Sequence, residues 1–300
     1  MPNFLIIGAA KAGTTSVWRQ LKQHPQIFMH PKKQLNFFAL EGEDLGFRGP
    51  GPADSTLHSI TSIDAYRAQF DEVTNETAIG EASNLYLYSA GAAGRIRHYL
   101  PHAKLIAILR HPADRAYSRF LHLVREGREQ ITDFGLALEE EEKRVRDHWW
   151  PDFHYVRMGL YHAQLKPYFE LFPRSQLRIY LHEDLKSDLN GVLRDVFRFL
   201  EVDDTFVPDT AIKYNVSGVP KNKALHLILQ ELRSIRPFAE QFIPERQRQH
   251  ILRVASAIHN RNLIKPRLSP EIRAGVIERY REDTLELQEL IQRDLSAWLT

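Results

Sequence analysis

The sequence contains no cysteine among its 300 residues. This lack excludes disulfides, thiolate metal sites and cysteine nucleophiles, and it is typical of a reducing compartment. No apolar run approaches the roughly 20 residues that a membrane-spanning helix needs. Signal-peptide architecture is also missing, because the first apolar run already begins at Phe4. We therefore expect a cytoplasmic protein without a transmembrane segment.

The charge balance gives no sign of a nucleic-acid partner. The net charge is only +2, with 26% charged and 43% hydrophobic residues. Nucleic-acid binding is driven by a strong basic excess, which this chain does not have. A chain of this length and composition can bury a sizeable core. We expect one domain over residues 1–300.

The first chemically informative segment follows the apolar run Phe4–Ile7. A loop bounded by Gly8 and Gly13 comes next, and a helical pattern follows. Such glycines let backbone N–H groups approach an anion at a helix N-terminus. The loop keeps the glycine spacing of the P-loop G-x-x-x-x-G-K-[ST], but Thr14 holds the lysine position and Lys11 lies inside the loop. The segment predicts a phosphate-binding loop with a displaced cation.

A second segment, residues 104–122, is again an apolar run that turns into a helix. The run ends at Arg110, which we expect to point into the same crevice as the first loop. On the helix, Arg115, Ser118 and His122 recur at i, i+3 and i+7, so one face carries a cation, a hydroxyl and an imidazole. Arg110 and Arg115 could instead be surface cations paired with carboxylates, but two such segments at the ends of two strands favour anion binding.

The coarse pattern of the chain is α/β. Its alternating runs predict a central, mainly parallel five-stranded sheet flanked by helices in three layers. Residues 189–300 are predicted to be mainly helical. The predicted strands are Phe4–Ile7, Ile27–His30, Thr77–Gly80, Leu105–Leu109 and Leu177–Leu181.

Both anion-binding segments resemble motifs of sulfotransferases that use 3′-phosphoadenosine 5′-phosphosulfate (PAPS). The K-x-G-T-T loop is similar to their 5′-phosphosulfate loop, and the Arg110 segment to their 3′-phosphate motif. The resemblance is closest to the branch of heparan sulfate, other carbohydrate and bacterial sulfotransferases. That branch has K-E-x-[HN]-F-F, G-E-x-S-x-x-Y and G-x-Y segments, which match Lys33–Phe38, Ile79–Tyr86 and Gly159–Tyr161.

The resemblance implies a P-loop-like fold and a cofactor site. Arg110 and Ser118 would bind the 3′-phosphate, while Gly218 and Lys221 belong to a polar loop, residues 214–223, that closes over the 3′-phosphate and adenine. No metal is expected, because a sulfuryl group carries one negative charge and a γ-phosphoryl group about two. The implied 5′-phosphosulfate loop consists of Lys11, Ala12, Gly13, Thr14, Thr15 and Ser16.

The resemblance also implies transfer of a sulfuryl group to a hydroxyl, less often an amine, of a carbohydrate, glycolipid or small molecule. The desulfonated nucleotide, 3′-phosphoadenosine 5′-phosphate (PAP), is the other product. Lys11 would stabilise the leaving phosphate. Gln34 occupies the position of the family's presumed base, a glutamate, and an amide does not accept a proton usefully. Either another group is the base, with Glu81 and His122 as alternatives, or the chain is a disabled form.

Two other classes of protein stay open at this point. A P-loop kinase would need an acidic strand end for Mg²⁺ and a lysine after Gly13, where the sequence has Arg110 and Thr14. A PAPS- or PAP-binding protein with impaired catalysis would agree with Gln34.

Two long crossovers, residues 39–76 and 123–158, are expected to shape the acceptor site. In the second, Glu139–Lys143 and Glu142–Arg146 are spaced as i,i+4 pairs on a solvated helix face. Trp149 and Trp150 either stack on a sugar or apolar acceptor or pack internally.

Overall fold

The computed structural model describes residues 1–50, 59–210, 218–222, 261–264 and 266–300. The central sheet has the strand order β2-β3-β1-β4-β5, and every neighbouring pair is parallel. Each predicted strand run overlaps one of these strands, so the prediction of an α/β fold with a five-stranded parallel sheet is confirmed. The strands are β1 (Phe4–Gly8), β2 (Ile27–Met29), β3 (Ala78–Ala82), β4 (Lys104–Leu109) and β5 (Leu177–Leu181).

Helices occupy the connections between the strands and the described part of the C-terminal region. Val219–Pro220 (β6) and Leu263–Ile264 (β7) form a separate antiparallel pair. The described helices are α1 (Thr14–Leu21), α2 (Phe37–Leu40), α3 (Ile63–Ala68), α4 (Leu85–Tyr88), α5 (Ala92–Tyr99), α6 (Pro112–Arg125), α7 (Phe134–Glu139), α8 (Glu141–Arg146), α9 (Tyr161–Leu171), α10 (His182–Ser187), α11 (Leu189–Leu200) and α12 (Pro270–Ile291).

The core surrounds β1 and β4, whose apolar residues are buried on both faces, as a parallel sheet covered by helices requires. A Cβ at Gly80 would stand 2.2 Å from the Phe4 ring, so the β1–β3 register requires glycine there. The chain leaves β1 toward β2 and β3 and later returns on its other side as β4. In such sheets, ligands bind outside the carboxyl ends of the strands at this switch point.

The 123–158 crossover is packed rather than open. Phe153 is fully buried in a cluster with residues of α6 and α12. Trp150 is 6% exposed and belongs to the main core. Trp149 lies between the Arg144 guanidinium, 5.1 Å from the ring, and Gly49, where a Cβ would stand 2.6 Å from it. Trp150 therefore packs internally, and the stacking alternative is wrong for it. Trp149 is half-buried and lines a cavity, so both alternatives stay open for this residue.

The predicted i,i+4 ion pairs are not formed: the helix breaks at Glu140, between Glu139 and Lys143, and Glu142 pairs with Arg157 at 2.7 Å, although the charge of Arg146 also acts on it. Lys143 lies 3.9 Å from Glu140. Glu141 is 2% exposed and accepts the backbone N–H groups of residues 156 and 157. Glu141 therefore anchors the crossover from one side, while Glu139, Glu142, Lys143 and Arg146 are exposed, as predicted for a solvated face.

The described helices include none that is long and apolar enough to cross a membrane. Much of the predicted helical region 189–300 lies outside the described residues. The single-domain boundary therefore stays a prediction.

Candidate nucleotide-binding and transfer site

The loop between β1 and α1, residues 8–16, is called the cradle here. Lys11 (φ 68°) and Gly13 (φ 110°) have left-handed backbones, and α1 begins at Thr14. Such a turn gathers successive N–H groups into an anion-binding concavity, and the first-turn N–H groups of a helix have no partner within it. At Gly13, a Cβ would also stand 3.3 Å from the ring of His182. The cradle thus has the backbone geometry that phosphate binding requires.

Arg110 connects the second motif to the cradle. It follows β4, and its Nη1 donates to the Lys11 carbonyl oxygen at 3.0 Å. Its own carbonyl accepts the Tyr161 hydroxyl at 3.0 Å. The side chain is 9% exposed, and its Nε has no hydrogen-bond partner among the described residues. A buried unsatisfied donor is unfavourable by about 1–3 kcal/mol, so this guanidinium is suited to an anionic ligand.

The face of α6 that was predicted to carry a cation, a hydroxyl and an imidazole is largely buried. Ser118 is fully buried on the same helix. Arg115 is also fully buried, but its Nη2 donates to the Tyr155 carbonyl, and its charge acts on the Tyr280 hydroxyl. Arg115 therefore takes part in the packing between α6 and α12, while its charge also acts on Arg110 and its Nε and Nη1 have no hydrogen-bond partner among the described residues.

Lys11 lies in a cluster of cations. Burial and the charges of Arg119 and Arg125 lower its pKa to about 7. Mutual repulsion between cations falls when an anion binds among them. The cradle therefore combines N–H donors with an excess of positive charge.

His122 lies close enough to this cluster for the Lys11 charge to act on it. Burial and then Lys11 hold the pKa of His122 far below its usual range. Its Nδ1 lies 2.6 Å from Arg125 Nη2, and its Nε2 lies 3.1 Å from Glu126 Oε1. The neutral ring thus accepts from Arg125 and donates to Glu126. Both nitrogens are engaged, which disfavours His122 as a base.

Glu81 is enclosed beneath the site. It is fully buried, with Oε1 accepting the Tyr66 hydroxyl at 3.2 Å and Oε2 accepting the Ser83 hydroxyl at 2.8 Å. Burial raises its pKa to about 7, while the charge of Lys33 opposes that rise. This geometry favours the alternative role of Glu81 as an electrostatic partner of a cleft lysine.

Gln34 is half-buried at the carboxyl end of β3. Its left-handed backbone (φ 66°) donates to the Ala82 carbonyl oxygen at 2.9 Å. Its Oε1 accepts the Asn84 N–H at 3.2 Å. The amide oxygen is thus held by the protein at the position where the motif that the sequence resembles has a glutamate.

Two further residues lie at the cradle and were not selected from the sequence as site residues. Lys33 Nζ donates to Oγ1 of Thr14 at 3.2 Å and of Thr15 at 3.0 Å. His182 Nδ1 donates to the Ala12 carbonyl oxygen at 2.9 Å. The sequence signal for His182 was its position directly after β5, at the same edge of the sheet. The signal for Lys33 was its position next to Gln34 in the segment Lys33–Phe38.

The described part of the 214–223 loop packs near the α6 helix through β6. Lys221 is exposed, and its N–H donates to the Asn262 carbonyl oxygen at 2.7 Å. A Cβ at Gly218 would stand 2.8 Å from the Ile264 carbonyl oxygen, so glycine permits close backbone packing there. Residues 214–217 and 223 lie outside the described residues. The ligand roles of Gly218 and Lys221 stay predictions.

Fold and site together define an α/β protein with an anion-binding type of loop at the carboxyl edge of a parallel sheet. The sulfotransferase family model matches residues 2–206, and the chain therefore belongs to the sulfotransferase family. The computed structure resembles that of a sulfotransferase from Alicyclobacillus acidocaldarius, with a TM-score of 0.79, 35% identity, and coverage of 100% of this chain and 99% of that chain. The predicted family resemblance is confirmed.

Curated relatives include eukaryotic carbohydrate-modifying enzymes. Bifunctional heparan sulfate N-deacetylase/N-sulfotransferase 4 of Mus musculus is 30% identical over 210 residues, 67% of this chain and 22% of that protein. Carbohydrate sulfotransferase 15 of Mus musculus is 25% identical over 249 residues, 67% of this chain and 44% of that protein. The chain thus spans less than half the length of these relatives.

Proposed function

We propose that the protein transfers the sulfuryl group of PAPS in line to a hydroxyl of a carbohydrate, glycolipid or small molecule. The observation that carries this proposal is the hydrogen bond from Arg110 to the Lys11 carbonyl. It places a buried cation with an unpartnered Nε directly beside the cradle. PAPS has a phosphosulfate and a separate 3′-phosphate, which suit a site with two adjoining anion-binding parts.

The donor set fits this group without a metal ion. The cradle N–H groups, the Thr14 and Thr15 hydroxyls and Lys11 would hold the 5′-phosphosulfate. Arg110 and Ser118 would hold the 3′-phosphate. Bound PAPS supplies an activated sulfuryl group whose leaving group is the 5′-phosphate of PAP. Lys11 stabilises the negative charge that develops at that phosphate. Stabilisation of developing charge by preorganised groups is usually the largest single contribution to catalysis.

The acceptor would bind between the two crossovers. Their backbones meet where the Arg48 N–H donates to the His148 carbonyl oxygen at 2.9 Å. A cavity of about 520 Å³ lies beside this contact, with Gly49, Arg128 and Trp149 among its lining residues. Its mixture of charged and aromatic groups and the carbohydrate substrates in the relatives' names support a sugar-containing acceptor.

Transfer is tested with labelled PAPS and a panel of sugar, glycolipid and small alcohol acceptors. We expect PAP to form together with one labelled product. A protein that binds PAP but consumes no PAPS with any acceptor or with water would support the alternative that Gln34 favours, a nucleotide-binding protein with impaired catalysis. Phosphoryl transfer from ATP would support the kinase alternative.

Arg110→Ala should largely remove the preference for PAP over 5′-AMP, which differ by the 3′-phosphate. Losing a charge-assisted contact in a desolvated site is unfavourable by about 1.5–3 kcal/mol, so PAP affinity should fall roughly ten- to hundredfold. Calorimetric titration with both nucleotides measures the change. Exposed Arg194→Ala on α11 is the control and should leave both affinities unchanged. An Arg110→Ala protein that still prefers PAP would refute this assignment.

Turnover should be independent of metal ions, because Lys11, Arg110 and the cradle N–H groups supply the positive charge that Mg²⁺ supplies to phosphoryl transfer. The check is the PAPS consumption rate before and after EDTA treatment. We expect full activity with EDTA. Loss of activity that Mg²⁺ restores would contradict this prediction.

A further inference from the structure

Lys33 borders the place where transfer would occur. Its Nζ donates to the hydroxyls of both cradle threonines, Thr14 at 3.2 Å and Thr15 at 3.0 Å. The residue as a whole is half-buried, and its amine is enclosed against the cradle, with burial the main influence on its pKa. Those two hydroxyls belong to the part of the cradle assigned to the 5′-phosphosulfate. The amine is therefore close to the group that an acceptor would attack.

The other three candidates for the base are each unsuited by geometry. The Gln34 amide has no basic atom, and its oxygen accepts the Asn84 N–H. Glu81 is fully buried, and both its oxygens accept hydroxyl groups. His122 has both ring nitrogens engaged by charged neighbours. None of the three offers a free basic atom to a hydroxyl in the cleft.

The hydrogen bonds of Lys33 leave a basic atom available. An ammonium group has three donors, whereas a neutral primary amine has two N–H donors and one lone pair. The two threonine hydroxyls take two donors. A neutral Lys33 would thus keep both hydrogen bonds and direct its remaining lone pair away from the threonines.

We propose that Lys33 is the catalytic base of the transfer, a proposal that rests on the proposed function. The acceptor oxygen bonds to sulfur while the bond from sulfur to the bridging oxygen of the 5′-phosphate breaks. The electron pair of the broken bond stays on PAP. The proton of the acceptor hydroxyl moves to Lys33 Nζ, and the resulting ammonium group later releases it to solvent.

The surroundings of Lys33 allow it to be neutral near physiological pH. Arg19 of α1 and Glu81 of β3 are the charged groups that act on it, and Tyr66 and Tyr86 act on Glu81. Burial and then Arg19 lower the pKa of Lys33 to about 7, while Glu81 opposes this. Below that pH the amine is protonated and has no lone pair. The phosphosulfate anion beside the amine would raise this pKa in the complex, as for Lys11, so the transfer rate should rise with pH and level off in the alkaline range.

The direct test is Lys33→Gln, with the exposed neighbour Lys32→Gln as its matched control. Glutamine can still donate to a threonine hydroxyl but is not a base. We expect kcat to fall at least about 10²-fold, because a positioned base contributes about 10²–10⁴, and we expect the alkaline rise to disappear. PAPS hydrolysis, with water as the acceptor, allows the measurement before the natural acceptor is known. Lys32→Gln should behave as the unchanged protein.

Two further variants separate a base from a fixed cation. Lys33→Arg keeps the positive charge, but its guanidinium stays protonated. The variant should therefore be inactive if Lys33 is a base and active if Lys33 is only a fixed cation. Adding Gln34→Glu to Lys33→Gln places a carboxylate where relatives have their base, and it should restore part of the turnover. An active Lys33→Arg protein with an unchanged pH profile would overturn the proposal.

A readout without turnover is the NMR titration of the Lys33 amine, assigned by its absence in Lys33→Gln. We expect a midpoint near pH 7, and a value near lysine's ordinary ~10.4 would overturn the proposal. If the unchanged protein binds PAP and consumes PAPS while Lys33→Gln matches it, only this proposal fails. If the unchanged protein does neither, the proposed function fails, and this proposal fails with it.

Discussion

Lys11→Ala should lower kcat for sulfuryl transfer by roughly 10²-fold or more, on the scale of removing one preorganised charge donor. Lys11 lies inside the cradle, and its backbone carbonyl is held by Arg110. In the proposed reaction its charge would stabilise the leaving phosphate, which becomes more negative as the bond to sulfur breaks. The effect should therefore be larger on kcat than on PAP affinity. Steady-state kinetics and PAP titration of the same preparation measure the two effects.

The control for Lys11→Ala is Lys166→Ala, which removes an exposed lysine from α9. It should leave both kcat and PAP affinity unchanged. If Lys11→Ala keeps near-normal turnover, the leaving group is stabilised elsewhere. A loss confined to PAP affinity would make Lys11 a binding residue.

Arg144→Met should destabilise the protein by about 3–5 kcal/mol, the range for removing one partner of a buried ion pair. Arg144 and Glu129 form two hydrogen bonds, at 2.7 and 3.0 Å, with side chains only 4% and 2% exposed. The Tyr155 hydroxyl also donates to Glu129 at 2.6 Å. The substitution leaves the carboxylate buried without a cation, accepting only this hydroxyl and the Ile131 N–H, which is 3.0 Å from Oε1. The free energy of unfolding in urea, followed by fluorescence and circular dichroism, measures the loss.

Lys143→Met is the matched control for that experiment. Lys143 is adjacent in sequence, but its side chain is 64% exposed and lies 3.9 Å from Glu140. Surface substitutions of this kind usually change stability by about 0.5 kcal/mol or less. Equal effects of the two variants would contradict the conclusion that the 123–158 crossover is held by a buried ion pair.

The sheet was predictable from the sequence because its strands are local apolar runs. Phe4–Ile7 and Leu105–Leu109 are continuous apolar segments, and continuity is the pattern of strands covered on both faces. The crossovers were less predictable. Trp150 and Phe153 are buried by partners far away in the chain, and such partners leave no periodic signal near either residue.

The candidate site also has parts that the local sequence predicts and parts that depend on distant contacts. The cradle and Arg110 follow strands directly, so their meeting at one edge of the sheet follows from the parallel order. The role of Lys33 was not visible, because its amine reaches Thr14 and Thr15 across a separation of 18 and 19 residues. The burial of Arg115 was also missed, since helical spacing gives a face but does not say what covers it.

The central claim is that this site binds a nucleotide with both a 5′ and a 3′ anionic group. Calorimetric titration of the unchanged protein with PAP, 5′-AMP and Mg²⁺-ATP tests it most directly. We expect PAP to bind at least about tenfold more tightly than 5′-AMP, since the proposed partners of the 3′-phosphate, Arg110 and Ser118, would have nothing to bind in 5′-AMP. Equal affinities for PAP and 5′-AMP, or tighter binding of Mg²⁺-ATP, would contradict the account.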